Sequence, residues 1–155
     1  MEEPSEANAW QAEHARLLSR SLKHWTGCGL MDDEPDPVIA ARRLYFAPFV
    51  LLSHATEADP VINYANRAAQ QLFEMAWGDF VQLPSRLSAE AVARQERDGL
   101  LRRVSEHGYI DDYSDVRVSS TGRRFLIDHA TVWNLIDDAG HYRGQAAMFS
   151  LWRPL

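Results

Sequence analysis

The sequence predicts an α+β fold: one five-stranded antiparallel sheet, helices on one of its faces, and an amphipathic helix at the N-terminus. Three observations predict it. First, Tyr109–Trp152 reads as three consecutive strands, Tyr109–Ser120, Arg123–Ile136 and His141–Trp152, rich in Val, Ile, Tyr, Phe, Trp and Thr. Turn residues, Thr121-Gly122 and Asp137-Asp138-Ala139-Gly140, mark the two breaks. Second, two shorter strand-like runs, Phe49–His54 and Val61–Tyr64, precede them. Third, the remaining long segments carry helical periodicity, and a meander of this length needs helices over one face to bury its apolar side.

In chain order, Met1–Glu6 is a polar tail. From Ala7 to Trp25 the pattern is helical: Trp10, Leu17, Leu18, Leu22 and Trp25 share a stripe, while Glu13, Arg16, Arg20 and Lys23 fall elsewhere. Gly27-Cys28-Gly29 stops this helix, an acidic turn covers Asp32–Pro37, and a shorter helix follows over Val38–Tyr45. Residues 1–37 thus form an N-terminal helical extension and 38–155 the sheet domain. Val50, Leu51 and Leu52 run together as a strand buried on both faces. Asn66 follows the second strand as a helix N-cap, and its helix reaches about Ala76 with Ala69, Leu72, Phe73 and Ala76 inward. Trp77-Gly78-Asp79-Phe80 turns the chain, and Leu83-Pro84-Ser85-Arg86 is a loop. Ser88 caps a long helix, Ala89–His107, with Val92, Leu100 and Val104 on its apolar side and Gly108 at its end.

Composition narrows the function. The 155 residues suit one domain, and 46% hydrophobic content argues against general disorder. With 16 basic against 22 acidic residues the net charge is -6, which opposes a broad nucleic-acid surface. Arg94, Arg97, Arg102 and Arg103 alternate with Glu90, Glu96, Asp98 and Glu106, as on a solvated helix face. The single cysteine, Cys28, fits a reducing compartment, and no stretch reads as a signal peptide or membrane span, so the expectation is a soluble, cytoplasmic protein.

The order of elements resembles the PAS fold. Val61–Ala69 resembles the segment in which a strand delivers an Asn that caps the next helix, and Trp77–Phe80 the turn that follows. Within that class the chain resembles the MEKHLA domain. The matching stretches are Leu52–His54, Ala58–Pro60, Leu83–Arg86, Ser119–Phe125, Ala130–Leu135 and Gly144–Ala147. This family is similar to sensory PAS modules and also occurs at the end of plant homeodomain-leucine zipper regulators. The family's ligand and activity do not carry over; the expectation is a sensory or regulatory module that signals by protein association and not an enzyme, with a small enzyme using the cavity as its active site the least favoured alternative. One departure stands out: Glu74 occupies a place where PAS sequences commonly have a small residue, often Gly.

The residues offer little chemistry beyond a pocket. The histidines (His14, His24, His54, His107, His129 and His141) show no metal-ligand spacing, so no metal is expected; His54 and His129 read as hydrogen-bonded sheet residues. The long helix presents only His107 for haem, and no Asn-Cys-Arg-Phe word for a covalent flavin occurs. Non-covalent flavin or another aromatic ligand stays open, so the cofactor is unknown. Ser53-His54 and Ser119-Ser120 lack the setting that activates a serine. By alternation Asp111 and Asp115 share a face apart from Asp112, as solvent-facing carboxylates balancing Arg117, Arg123 or Arg124 across the strands. The expected ligand pocket lies between sheet and helices, lined by Leu72, Phe73, Trp77, Arg86, Tyr113, Phe125, Trp133 and Phe149, with Asn134 and Gln145 as further polar groups. The expected partners are a small molecule and a second copy or a regulatory protein. The interface candidates are Trp10, Leu17, Leu18, Leu22 and Trp25; the stripe alone does not say whether they pack on their own sheet or a partner's. The rival to a sensor is a ligand-free dimerisation or interaction domain.

Overall fold

The computed structural model describes residues 1–88 and 94–155, without the side chains of 94–98 and 101. Helices α1 (Ala12–Thr26) and α2 (Pro37–Tyr45) precede strands β1 (Val50–His54) and β2 (Ile62–Ala65). The short helices α3 (Arg67–Leu72) and α4 (Trp77–Phe80), a 3-10 turn at Ser85–Ser88, and α5 (Arg94–His107) follow. The chain ends in β3 (Tyr109–Val118), β4 (Arg124–Ile136), β5 (Tyr142–Phe149) and β6 (Leu151–Pro154). The sheet runs β2-β1-β5-β4-β3, every pair antiparallel.

The expected last strand, His141–Trp152, is two strands. It breaks at Ser150, and β6 then pairs with Phe125–Asp128 of β4, while β5 pairs with Thr131–Ile136 of the same strand. A six-stranded sheet results. The cause is a bulge in β4, where His129 takes a left-handed backbone (φ 52). It bends the strand and gives its two halves separate neighbours. It also resets the alternation: Phe125 and Ile127 point to the inner face before it, Ala130 and Val132 after it.

Two cores result. The inner one holds Val50, Phe73, Phe80, Val104, Ile110, Tyr113, Phe125, Val132 and Phe149 beneath α3 and α5. The outer one holds Leu18, Leu22, Leu44, Leu51, Trp133 and Leu135 beneath α1 and α2. The N-terminal helix therefore packs on its own sheet. Three hydrogen-bonding contacts fix it along β4. Trp133 Nε1 donates to Leu18 O (3.1 Å) and Trp25 Nε1 to Asn134 O (2.9 Å). Ser21 Oγ donates to Ile136 O and accepts from Ile136 N (3.1 and 2.9 Å). Gly108 allows this docking: its φ is 89, and a Cβ there would strike the Trp25 ring.

The helix expected from Ala7 is interrupted. Ala9, Trp10 and Gln11 have φ between 54 and 59, so a 3-10 segment, Glu6–Gln11, turns the chain before α1 begins at Ala12. That turn carries Trp10 onto Tyr45 and Phe46, at ring separations of 6.1 and 5.4 Å. The helix expected to reach Ala76 ends at Leu72, and α4 forms where a turn was expected. Asp36 caps α2 by accepting from Val38 N and Ile39 N. Asn66 is wholly buried and caps α3, as expected: Oδ1 accepts from Ala69 N and Leu51 N (both 3.1 Å), and Nδ2 donates to Leu44 O and Phe49 O (3.1 and 2.9 Å). Ala89 and Val92, expected at the start of the long helix, lie outside the described residues, as do the charges of Glu90, Arg94, Glu96, Arg97 and Asp98.

Glu74 explains the preference for glycine at its position. It has a left-handed backbone (φ 54), the region a side chain disfavours. Compensation comes through the carboxylate, which accepts from Ser119 Oγ and Thr121 Oγ1 and lies 3.5 Å from Arg123 Nη1. Those hydroxyls, Thr121 first, hold its carboxyl below the usual range.

Candidate functional site

Among the described residues, a partly open space of about 60 Å³ lies between the inner face of the sheet and α5. Its apolar walls come from β1 and β5 (Leu52, Ala147), β2 (Ile62), β3 and β4 (Ile110, Val132), and α5 (Leu100, Val104). Two polar groups border it, one at each side.

The first group stands on β3. Tyr113, Asp115 and Arg117, two residues apart, face inward together. Tyr113 Oη donates to Asp115 Oδ2 (2.5 Å) and accepts from Arg117 Nη2 (3.0 Å). Arg117 Nη1 donates to Ser88 Oγ (2.8 Å), which donates to Ser85 O (2.8 Å). Arg117 Nε lies 3.4 Å from Asp115 Oδ2 in an ion pair but without a hydrogen bond. Both side chains are sequestered, 12% exposed for Arg117 and 5% for Asp115, so each depends on the other for its counter-charge. Burial pushes the Tyr113 phenol up to about 12, and it stays a neutral donor.

The second group crosses β1, β5 and β4 through the paired residues His54, Gln145 and Asn134. Gln145 Nε2 donates to Asn134 Oδ1 (2.9 Å), and Asn134 Nδ2 donates to Val104 O on α5 (3.0 Å). His54 Nδ1 meets Ala55 O at 2.9 Å. Gly144, with φ 127, lets β5 pass so close to β1 that a Cβ there would land on His54 O. The backbone carbonyl of Asn134 accepts from Trp25, so cavity wall, roof helix and N-terminal helix meet at one residue.

Of the residues expected to line a pocket, Tyr113 borders this cavity, and so does Gln145. Phe73, Phe125 and Phe149 pack in the inner core, with Leu72 partly buried against it, and none of these lines the cavity. Trp133 and Trp77 belong to the outer core. Alternation alone puts Phe125 and Trp133, eight residues apart, on one face; the His129 bulge turns Trp133 to the other. Trp77 stacks edge-on against Tyr64 and donates to Met1 O (3.3 Å). Arg86 is exposed and pairs with Asp59 at 3.1 Å. Asp111 and Asp112 are both exposed while Asp115 is buried, because β3 also bulges between Ile110 and Tyr113 and breaks the expected pairing of Asp111 with Asp115. Sequence reasoning missed Asp115, Arg117 and Ser88 as cavity neighbours. The available signal was Tyr-x-Asp-x-Arg on a strand, which places three polar side chains on one face.

On the outer face His14 of α1 sits against β1. Its Nε2 is 2.9 Å from Ser53 Oγ, which donates to Asn63 Oδ1 (2.6 Å). Burial, with a contribution from the Met1 ammonium, lowers the His14 pKa from 6.5 to about 4. Among the described residues no three His, Cys, Asp or Glu gather as a metal site, and no helix is long and apolar enough to cross a membrane.

An antiparallel sheet with α3 to α5 over its inner face is the architecture of PAS domains, and solved structures of that class are similar to this chain. The PAS domain of a Colwellia psychrerythraea protein superposes with a TM-score of 0.62 at 9% identity, over 74% of this chain and 92% of that one. A light-oxygen-voltage domain studied with a flavin analogue gives 0.60 at 14% identity, covering 74% and 83%. The light-state dimer of the fungal blue-light photoreceptor Vivid gives 0.54 at 15%, covering 66% and 76%. At these identities the likeness concerns the fold. The chain belongs to the MEKHLA domain family, whose pattern matches residues 12–154. A search of curated proteins finds no match.

Proposed function

We propose that the chain is a PAS-type sensory or regulatory module of the cytoplasm. A small molecule enters the cavity between sheet and α5, and the signal leaves through the N-terminal extension, residues 1–37, as a change in protein association. One observation carries this reading. The cavity wall and α1 share Asn134, whose side chain holds Gln145 and α5 while its carbonyl holds Trp25. A ligand that moves Gln145 therefore acts on the residue that anchors the helix, with the differential contact that a population shift requires. Tyr113 and Gln145 are its contact residues; Leu72, Phe73, Phe125 and Phe149 support the wall from behind. No catalytic step is included: Ser53 is buried and already donates to Asn63. A space of about 60 Å³ is far below the roughly 300 Å³ at which ligand pockets begin, so flavin does not fit it as it stands.

Native mass spectrometry and thermal shift on the purified chain test the proposal. Retained small-molecule mass, or a rise in Tm with a metabolite, supports it. A bare chain that responds to none of a broad panel refutes it.

The rival reading is a ligand-free association domain. It is favoured by the exposed Phe46, Leu151 and Trp152, with Phe46 and Trp152 bordering a groove shared with Ala47, Pro48 and Leu72. The double variant Phe46→Ser/Trp152→Ser separates the two: association lost with the groove supports the rival, and association unchanged counts against it.

A further inference from the structure

We infer that Met1–Gln11 is a strap held closed against its own backbone preference: lifting it lets Ala9–Gln11 turn right-handed, lengthens α1 toward Ala7 and uncovers Tyr45 and Trp77. This rests on the sensory reading above, in which α1 carries the signal, and names the device at its outer end.

Three successive left-handed residues, none of them glycine, carry the inference. Ala9, Trp10 and Gln11 have φ of 54, 59 and 54. L-residues seldom adopt that region even singly, and a run of three compounds the cost. Nothing in their sequence asks for it: a helical stripe runs over Ala7–Trp25, and Ala, Trp and Gln are ordinary helix residues. Surrounding contacts must therefore impose the turn.

The arm ahead of α1 makes those contacts. Within it Asn8 Oδ1 accepts from Ser5 N (3.0 Å), Asn8 Nδ2 donates to Glu3 O (2.8 Å), Trp10 N to Ser5 O (2.8 Å) and Gln11 Nε2 to Glu2 O (2.8 Å). Against the body, Pro4 is buried, and Trp10 lies on Tyr45 and Phe46 with the Arg42 guanidinium 5.5 Å from its ring. Met1 O accepts from Trp77 Nε1 at 3.3 Å, a long hydrogen bond. The buried Tyr64 hydroxyl beside Trp77 makes no hydrogen bond among the described residues, so it adds nothing to the hold. Release gives up the Gln11–Glu2 bond, the Trp77 bond and the Trp10 ring contacts. It gains helical backbone bonds and relieves three strained residues. These terms oppose one another, so a shift of α1, which carries this hinge at one end and the Trp25 anchor at the other, can select between the two states.

Two substitutions of Ala9 act on the hinge in opposite directions. Ala9→Gly removes the Cβ penalty of the left-handed turn and weakens the extended helix, so it closes the strap. Ala9→Pro forbids a φ of 54 and offers Asn8 as N-cap with proline at the first helical position, so it opens the strap. Hydrogen exchange of the indole N–H groups in the 15N-labelled full chain reads both. Ala9→Gly should slow Trp77 exchange at least about fivefold. Ala9→Pro should remove Trp77 protection while Trp133, bonded to Leu18 O in the outer core, keeps the parent's. Trp10 and Gln11 should then also lose the strong intraresidue Hα–HN NOE of a left-handed backbone. Trp77 protection unchanged in Ala9→Gly, or retained in Ala9→Pro, overturns the inference and leaves the sensory reading standing, since that reading needs only α1 to move. Should Ala9→Pro lose Trp133 protection as well, the chain has unfolded and Ala9→Gly decides alone. Both hinge effects in a chain that answers no metabolite count against the sensory reading and not against the strap.

Discussion

Asn66→Ala should cost about 4 kcal/mol, close to the whole stability of a marginal domain. The residue is wholly buried and makes four hydrogen bonds with three parts of the chain: the end of α2 at Leu44, the entry to β1 at Phe49 and Leu51, and the first turn of α3 at Ala69. Loss of the cap to Ala69 N is worth about 1 kcal/mol. The Leu51 N–H, left without an acceptor in a dry site, adds about 1–3 kcal/mol. Phe49 O loses a donor as well, while Leu44 O keeps the weaker bond from Ala47 N at 3.3 Å. Equilibrium urea unfolding measures the change, and an unaltered slope with a lower midpoint is the expected form. Asn66→Asp is the control. It keeps the acceptor but sets a carboxylate against the Leu44 and Phe49 carbonyls, so its deficit relative to the parent should shrink as the pH falls and the acid protonates. A loss below about 1 kcal/mol in Asn66→Ala would mean that water or backbone movement replaces these bonds, and that Asn66 is an ordinary cap rather than the tie between three elements.

Other outcomes follow from the same geometry. His14 resists protonation when folded, its pKa lowered from 6.5 to about 4, so its contribution is fully present above 6.5 and is lost as pH falls from there toward 4. Up to about 3 kcal/mol is at stake; His14→Gln should flatten the stability profile across that window, and an unchanged profile refutes the assignment. Arg117→Met should destabilise by about 3–5 kcal/mol by stranding Asp115, and the Asp115→Asn/Arg117→Met pair should recover much of that loss by the same urea assay. Gly144→Ala places a Cβ on His54 O in a backbone conformation that side chains rarely adopt, and should lower stability by more than about 2 kcal/mol. Deleting Met1–Gly29 uncovers Leu51, Trp133 and Leu135 and should yield a self-associating chain by size-exclusion chromatography, whereas a monodisperse monomer contradicts the covering role of α1.

The fold was legible because its cues are local. Gly27 and Gly108 end their helices, Asn66 caps α3, and the turns at Thr121-Gly122 and Asp137–Gly140 separate the strands where composition marks them. The site was less legible because it depends on alternation carried across strands that bulge. One left-handed residue, His129, moves Trp133 from the inner face to the helix α1 side, and the shift between Ile110 and Tyr113 separates Asp111 from Asp115. A histidine, unlike a glycine, announces no such geometry. The same bulge divides β4 between β5 and β6, which a run of strand-forming residues from His141 to Trp152 does not disclose.

These irregularities also make coupling between the two faces physically reasonable. A flat, regular β4 would put Phe125 and Trp133 on one side, leaving the outer face without the indole that holds Leu18 O. With the bulge in place, the strand presents Val132 and Asn134 to the cavity side and Trp133 and Leu135 to α1. Because consecutive residues of one stiff strand serve opposite faces, a displacement at Asn134 cannot be absorbed without moving either α5 or the Trp25 anchor. A side-chain change of that kind at Gln145 should therefore appear in the Trp25 indole N–H resonance, about one strand's thickness away from the ligand. An indole signal that stays fixed through a saturating titration would show that the two faces are insulated, and that the signal leaves the sheet by another route.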